Sequence, residues 1–180
     1  MTWLMVLSFI ILLTYVGIMI KRHGIPYSVS DTYYSLEHRW AFTLTMYLSS
    51  LFMIPVAFDG SKTNTEFLVF LFSFGQLLVG TAPHFKGCQR ALHITGAVLL
   101  LVGSQVWIGF NVPLVLCSWI IYLIATLMAV AVKNEKFIAA FLHTKPLFWV
   151  EVVAFLNLYF WYYSIFYRGL CYYCGWCTNL

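Results

Sequence analysis

Charged side chains are scarce in this sequence. Asp, Glu, Lys and Arg make up 9% of its 180 residues, whereas 62% of the residues are hydrophobic. A soluble domain carries about 25% charged residues, because its surface must face water. A chain with so few charges cannot cover itself with polar groups, so lipid is predicted to surround it. The membrane spans and their loops take up the whole length, which leaves no room for a soluble domain.

Three further absences narrow the class of protein. The net charge is only +4 and its basic residues are scattered, so no nucleic-acid partner is predicted. No window alternates with the two-residue period of a membrane barrel strand. A signal peptide has its positive charge before its apolar core, whereas here Lys21 and Arg22 follow the first apolar run. We therefore expect a retained first helix and an all-α fold.

Long apolar windows recur along the chain. A helix that crosses about 30 Å of hydrocarbon needs roughly 17 to 25 mainly apolar residues. Six windows meet this length or come close, which predicts a polytopic membrane helix bundle of six transmembrane helices in a single domain. The windows cover residues 3–20, 40–58, 66–83, 91–110, 112–132 and 146–167. Residues 134–143 carry apolar side chains on one helical face between charged flanks, which predicts an amphipathic helix along the membrane surface.

The basic residues predict the orientation of these spans. Cytoplasmic loops carry an excess of Lys and Arg. The segments after spans one, three and five hold eight basic residues, whereas the opposite side holds only Lys62 and Arg168. Loops one, three and five are therefore predicted to be cytoplasmic, with both termini on the non-cytoplasmic side of the cell membrane. The eight residues are Lys21, Arg22, Arg39, Lys86, Arg90, Lys133, Lys136 and Lys145.

Most of the ionisable candidates for a site fall near the same predicted interface. Ionisable residues inside a membrane are costly, so by default they face the protein interior and mark a functional site. We expect a polar vestibule that opens toward the cytoplasm. Its ligand-binding candidates are Asp31, His38, Gln76, His84, His93 and Glu151.

Structural roles for the same residues remain open. His84 and His93 flank a short loop at the level of the lipid headgroups, where histidine is stable without any functional role. Glu151 can form a structural pair with a neighbour. Ser73, Gln76, Gly80 and His84 lie on one face of the third span, and such a stripe serves interhelical hydrogen bonding as well as a pathway.

The first loop is the most distinctive segment. Hydroxyl and aromatic side chains crowd residues 26–40. Ser28, Ser30 or Asp31 can cap a short helix there. The alternative is a lid that folds Tyr33, Tyr34 and Trp40 over the vestibule.

A motif in this loop resembles a known family. The spacing Ser28-x-Ser30-x-x-Tyr33-Tyr34, followed by Arg39 and Phe42, is similar to a motif of uncharacterised bacterial and phage-borne small multi-pass membrane proteins. In that family a histidine also opens a later span, as His93 does here. The resemblance covers residues 28–110 and implies the six-helix architecture and a bacterial or phage origin, without an activity.

A second, fainter resemblance concerns membrane hydrolases of the alkaline ceramidase and adiponectin-receptor type. That group uses Ser, Asp and three His around zinc, which implies roles here for Ser35, Asp31, His84 and His93. Its last helix carries a paired-histidine motif, whereas the sixth predicted span of this chain contains no histidine. Judged by the residues alone, no spacing is diagnostic of a metal site, so no cofactor is predicted. Zinc on His84, His93 and Asp31 is the alternative.

Five cysteines occur, and three of them are close together near the carboxyl terminus. Cys171, Cys174 and Cys177 follow a CxxCxxC pattern on the predicted outer side, where disulfides persist. A disulfide between two of them leaves one to pair with another chain, which makes a homo-oligomer a candidate assembly. Metal binding and free or lipid-modified thiols are the alternatives.

No motif of the sequence identifies a reaction. There is no HExxH, no nucleophile elbow and no phosphate-binding loop, so whether the chain is an enzyme stays open. The leading hypothesis is a membrane protein that binds or moves a small hydrophobic or lipid-like ligand through the vestibule, with membrane lipid as its partner. The alternatives are a metal-dependent intramembrane hydrolase and a structural or oligomeric protein without a ligand.

Overall fold

The computed structural model describes residues 2–133 and 136–173, and side chains within residues 3–133 and 136–161. The described residues form helices joined by short segments, with no strand among them. Two 3-10 helices, Ser30–Ser35 and Pro113–Cys117, precede α2 and α5. The α-helices of this part are α1 Thr2–His23, α2 Trp40–Asp59, α3 Glu66–Thr81, α4 Arg90–Asn111, α5 Ser118–Ala131, α6 Phe137–His143 and α7 Pro146–Tyr173.

Four helical stretches of the described residues have the length and composition of membrane spans. A fifth is added if α6 and α7, which meet at a bend of 52°, count as one span. The structure is all-helical, as predicted, but it shows four to five such spans rather than the six that the apolar windows indicated. The four are Trp3–His23, Trp40–Asp59, Arg90–Asn111 and Pro113–Ala131.

The difference arises at the third window. α3 has 16 residues, which at 1.5 Å per residue extend about 24 Å and fall short of the roughly 30 Å hydrocarbon core. The helix ends at Thr81 because Ala82 precedes Pro83, and a residue before proline is sterically disfavoured in the helical region. Ala82 has φ −112° and ψ 57°. An apolar window therefore predicts too long a helix when a proline lies at the carboxyl end of the window.

α3 and α4 form the most extensive helix pair of the bundle. Their backbones approach closely at Gly75 and Gly96, where no side chain separates them. A Cβ atom built on Gly75 would lie 2.6 Å from the carbonyl oxygen of Gly96 and 2.5 Å from the amide nitrogen of Leu100. Small residues permit this kind of contact between membrane helices. α2 packs against both α1 and α3, and α7 packs against α4.

The interior consists of two apolar clusters. One contains Phe72, Trp107 and Trp161 among its buried residues. The other contains Met19 and Phe42, together with Val29 and Tyr33 from the segment between α1 and α2. The second cluster therefore includes loop residues as part of its core.

Hydrogen bonds join the connecting segments at one end of the bundle. The backbone N–H of Lys86, between α3 and α4, donates to the hydroxyl of Tyr34, between α1 and α2, at 2.8 Å. The ammonium of Lys145, which precedes α7, contacts the carbonyl oxygen of Ile25. Because Lys21 also lies in the last turn of α1, we call this side of the bundle the basic end.

The opposite end joins the remaining described segments. The backbone N–H of Lys62, between α2 and α3, donates to Oδ1 of Asn111 at 2.8 Å, and its ammonium donates to the carbonyl oxygen of Phe110 at 2.8 Å. Asn111 is the last residue of α4. α3 therefore connects one end of the bundle to the other in spite of its 16 residues.

The outward faces of these helices are apolar. Val102, Phe110 and Ile121 are all more than half exposed. α5 is the most peripheral span, since only 6% of the apolar window Pro113–Ala131 is buried. An apolar surface of this extent in contact with water would drive association, whereas lipid tails solvate it. The structure therefore has the surface of a membrane protein.

Alanine at the α3–α4 contact is expected to destabilise the bundle. Gly75→Ala places a Cβ against backbone atoms that cannot move aside, so the free energy of unfolding should fall by about 1–3 kcal/mol. Gly17→Ala is the matched control, because no heavy atom lies within 4 Å of its Cβ position on α1. Thermal unfolding in detergent measures both variants. Equal melting temperatures for the two would show that the close approach is absent.

Candidate functional site

The segment between α1 and α2, which we call the first loop, folds into the basic end of the bundle rather than across its surface. Ser28, Val29 and Thr32 are 2–3% exposed, and Tyr33 is 5% exposed. Oγ of Ser28 accepts a hydrogen bond from the N–H of Asp31 at 3.0 Å, whereas Val29, the residue directly before the 3-10 helix Ser30–Ser35, makes no side-chain cap bond. The short helix predicted from the sequence is therefore present inside the protein, and Ser28 bonds to its first turn from two residues before it.

Glu151 holds this loop from α7. Its carboxylate accepts a hydrogen bond from the backbone N–H of Val29, the residue directly before the 3-10 helix. The first N–H groups of a helical turn have no partner within the turn. Glu151 is only 8% exposed, so the carboxylate supplies acceptors where water is excluded. The contact is a cap provided by a distant helix.

Two further side chains fasten the loop from α1 and from within. The hydroxyl of Tyr15 donates to Oγ1 of Thr32 at 2.5 Å, and Oγ1 of Thr32 donates to the carbonyl oxygen of Val29 at 2.6 Å. Both bonds lie in the buried interior. Hydrogen bonds inside a low-dielectric interior are costly to break, so this part of the loop is held in one conformation.

The segment between α3 and α4 closes over the loop. Asp31 forms an ion pair with Lys86 at 2.5 Å, and the hydroxyl of Tyr33 lies 3.0 Å from Nε2 of His84. The ammonium of Lys86 also lies 4.5 Å from the centre of the Tyr34 ring. These contacts place Asp31 and His84 at the surface of the basic end, each with its own partner.

The other predicted site residues also have separate surroundings. The Nδ1–H of His93 donates to the carbonyl oxygen of Ala82 at 2.9 Å, and its ring stacks on Phe85. His38 is exposed beside Trp40. The described contacts thus give these candidates different partners, and the buried first loop lies at the same end of the bundle.

No group of three or more His, Cys, Asp or Glu side chains within the described part of the chain is placed to hold a metal ion. The metal candidates His84, His93 and Asp31 have the partners given above. The cysteines Cys174 and Cys177 of the predicted disulfide lie outside the described residues, and so does the side chain of Cys171.

Gln76 lies deeper, in a polar layer between the two apolar clusters. Its Nε2 donates to Oγ of Ser49 at 2.6 Å. The hydroxyl of Ser8 donates to the carbonyl oxygen of Ser49 at 2.8 Å and lies 2.9 Å from the hydroxyl of Tyr159. The layer thus links α1, α2, α3 and α7. Gln76 Oε1 and Ser73 Oγ are buried in it without a hydrogen-bond partner.

An apolar groove lies between α1 and α7. It encloses about 370 Å³, including its open side, and it lies beside the first loop. Its lining is Phe9, Leu12, Leu13, Val16, Val29, Val152, Phe155, Leu156 and Tyr159.

The two ends of this groove differ. The rings of Phe9 and Tyr159 meet across it with centroids 4.9 Å apart, which closes one end. Val16 and Val152 lie seven residues away on their helices, about 10 Å along the groove. That second end faces the basic end of the bundle, where Val29 of the first loop lines it.

A second cleft lies behind the first loop. It encloses about 300 Å³, including its open part, and Glu151, Ser30, Met46 and Leu100 are among its lining residues. Val29 and Phe155 line this inner cleft as well as the groove. The loop residue that Glu151 holds is therefore part of the wall between an outer apolar groove and an inner cleft with polar groups.

The sequence did not reveal the groove. Phe9, Leu12, Leu13 and Val16 follow the spacing of one helical face, but α1 is apolar on every side, so no contrast with polar residues marks that face. Phe155 and Tyr159 have the same spacing on α7, where no contrast with polar residues marks the groove face either.

Comparisons with known proteins give no further information about this site. No protein-family model matches the chain, and no match is found among curated proteins or among solved structures. The two resemblances stated from the sequence therefore stay predictions.

Removal of the Glu151 carboxylate is expected to loosen the first loop. Glu151→Ala leaves the buried N–H of Val29 without its acceptor, which costs about 1–3 kcal/mol. Amide hydrogen exchange of residues 26–36 in detergent should become faster, whereas the α3–α4 contact should keep its protection.

Glu37→Ala is the control for that experiment, because Glu37 is exposed in the same loop and accepts no hydrogen bond there. Its exchange should match that of the original protein. Equally fast exchange in both variants would show that charge loss, rather than the cap, loosens the loop.

Proposed function

We propose that the chain crosses a membrane six times, with both termini on the non-cytoplasmic side. Two observations support this topology. Contacts at the basic end join the first loop to the segment after α3 and to the residue that precedes α7. α3 extends between the two ends of the bundle. If α3 counts as a crossing, the basic segments after spans one, three and five all lie on the same side of the membrane. The short α3 is accommodated by local thinning of the bilayer around it.

One native and one introduced cysteine test this topology. Cys88, after α3, is an exposed thiol, and Thr63, between α2 and α3, is an exposed residue at the opposite end of the bundle that Thr63→Cys converts to a thiol. A membrane-impermeant maleimide should label the introduced thiol from outside intact cells, and Cys88 only after the cytoplasmic side is opened. Peptide mapping by mass spectrometry separates the two sites from the cysteines near the carboxyl terminus. Labelling of Cys88 from outside, or of both thiols from one side, would overturn the proposed topology.

We further propose that the protein binds a membrane lipid, with an acyl chain in the groove between α1 and α7. The groove itself is the observation that supports this function. Its lining is almost entirely apolar, it opens sideways toward the surrounding hydrocarbon, and its length of about 10 Å follows the direction of the helices.

The solvent around the helices indicates the occupant of the groove. A groove that opens into a bilayer is filled by acyl chains, because an empty apolar groove forfeits the dispersion contacts of its lining. Leu13 is 55% exposed and Leu156 is 38% exposed along its open side. The closed end at Phe9 and Tyr159 gives the chain a fixed position, unlike the convex faces of the other helices.

The first loop also contributes residues to the proposed lipid site. Val29 lines the groove, and Ser30 lines the cleft behind it. A lipid in the groove therefore lies against the loop that Glu151 holds. The proposed lipid site therefore differs from the vestibule predicted from the sequence, since it lies at the side of the bundle.

Photo-crosslinking tests lipid binding at the groove. A phosphatidylcholine with a diazirine in its acyl chain is incorporated into vesicles with the protein, irradiated, and the labelled peptides are identified. Labelling of residues 9–16 and 152–159 should exceed labelling of the α5 face around Ile121 several-fold. Ile121 is 70% exposed, so that face reports contact with bulk lipid.

A groove-filling variant sharpens the test. Leu156→Trp should remove the excess labelling of the groove, whereas Leu123→Trp on α5 should leave it unchanged, since Leu123 is 56% exposed away from the groove. Equal labelling of the groove and the α5 face in the original protein would overturn the proposed function in favour of a bundle without a bound lipid.

A further inference from the structure

Three basic residues lie at about the level of the membrane at which the apolar groove opens. Lys21 and Arg22 are exposed in the last turn of α1, and Lys21 lies five residues, about 7.5 Å, beyond Val16 of the groove lining. Lys145 lies directly before α7, which begins at Pro146. Both helices that form the groove therefore carry positive charge where the groove ends.

Lys145 is held toward this opening. Its backbone has φ +53°, a left-handed conformation that a residue other than glycine rarely adopts and that tends to occur at functional sites. Its ammonium contacts the carbonyl oxygen of Ile25, in the chain that leads from α1 to Val29. The side chain thus joins the segment that follows α1 to the residue that precedes α7. An ammonium has three donors, so two remain after this contact.

No acidic side chain of the described residues forms an ion pair with these three cations. The ion pair found there joins Asp31 to Lys86, and Glu151 faces the first loop. The positive charge at the groove is therefore not neutralised by the described protein. Charge left at the end of an apolar channel matches a ligand with an apolar tail and an anionic head.

We propose that the lipid of the groove carries an anionic phosphate headgroup, bound by Lys145 together with Lys21 and Arg22. The inference rests on the proposed lipid-binding function and names the class of its ligand. Phosphate oxygens accept the remaining hydrogens of the Lys145 ammonium, and Lys21 and Arg22 add electrostatic attraction. The acyl chain then extends from this head toward Phe9 and Tyr159.

Two lipids that differ only in their heads test the inference. Phosphatidylglycerol and phosphatidylcholine with the same diazirine acyl chain are compared at equal mole fraction in the vesicles. Phosphatidylglycerol should label residues 9–16 and 152–159 more strongly. A basic residue near a membrane surface contributes roughly a five-fold preference for anionic lipid, so Lys145→Ala should lower phosphatidylglycerol labelling about five-fold and leave phosphatidylcholine labelling unchanged.

Two matched variants separate a specific headgroup contact from general attraction. Lys145→Arg keeps the charge and its donors and should retain the preference. Arg90→Ala removes one exposed charge at the same end, on α4, which does not line the groove, and it should also retain the preference. An equal loss in Arg90→Ala would overturn the inference, because the preference would then reflect surface charge alone.

The remaining outcomes distinguish this inference from the proposed function. Strong labelling of the groove by both lipids to the same extent would leave lipid binding in place and overturn the headgroup assignment. Labelling of the groove by neither lipid above the level of the α5 face would overturn lipid binding itself.

Discussion

The carboxylate of Glu151 accepts a hydrogen bond from the backbone N–H of Val29, in a part of the protein that water does not reach. An unpaired buried N–H group costs about 1–3 kcal/mol, so removal of this acceptor favours release of the first loop from the bundle. While the contact is made, Val29 and Tyr33 complete the apolar cluster at the basic end. This contact between α7 and the first loop therefore helps to keep that end of the bundle filled.

Ser28 and Thr32 of the first loop are almost fully buried, so protein fills this part of the basic end. Within the described residues, an apolar groove lies on one side of Val29 and a cleft on the other. A lipid bound between α1 and α7 would touch the loop without entering the bundle, so any coupling between ligand and loop would pass through Val29 and Phe155.

The polar layer sets the relative height of the helices. Apolar surfaces in lipid pack without a preferred register, since lipid tails are as apolar as leucine side chains. Hydrogen bonds from Gln76 to Ser49 and from Ser8 to the backbone of Ser49 give α1, α2 and α3 a preferred register relative to one another. The close contact of Gly75 with Gly96 does the same for α3 and α4. Directional contacts at a few positions therefore align a bundle whose interior is otherwise apolar.

The sequence by itself determined the all-helical fold of the described residues, the span-like length and apolar character of most helices, and the short helix that follows Ser28, since these depend on composition, apolar run length and local spacing. It overestimated the third span, because an apolar window does not register the effect of Pro83 on the residue before it. The partners of Asp31, His84, His93 and Glu151 were decided only by the tertiary structure, because each contact joins segments far apart in the chain. The groove between α1 and α7 was decided there as well. In an all-apolar helix every face looks alike in sequence, and only packing distinguishes the face that meets a neighbour from the face that meets lipid.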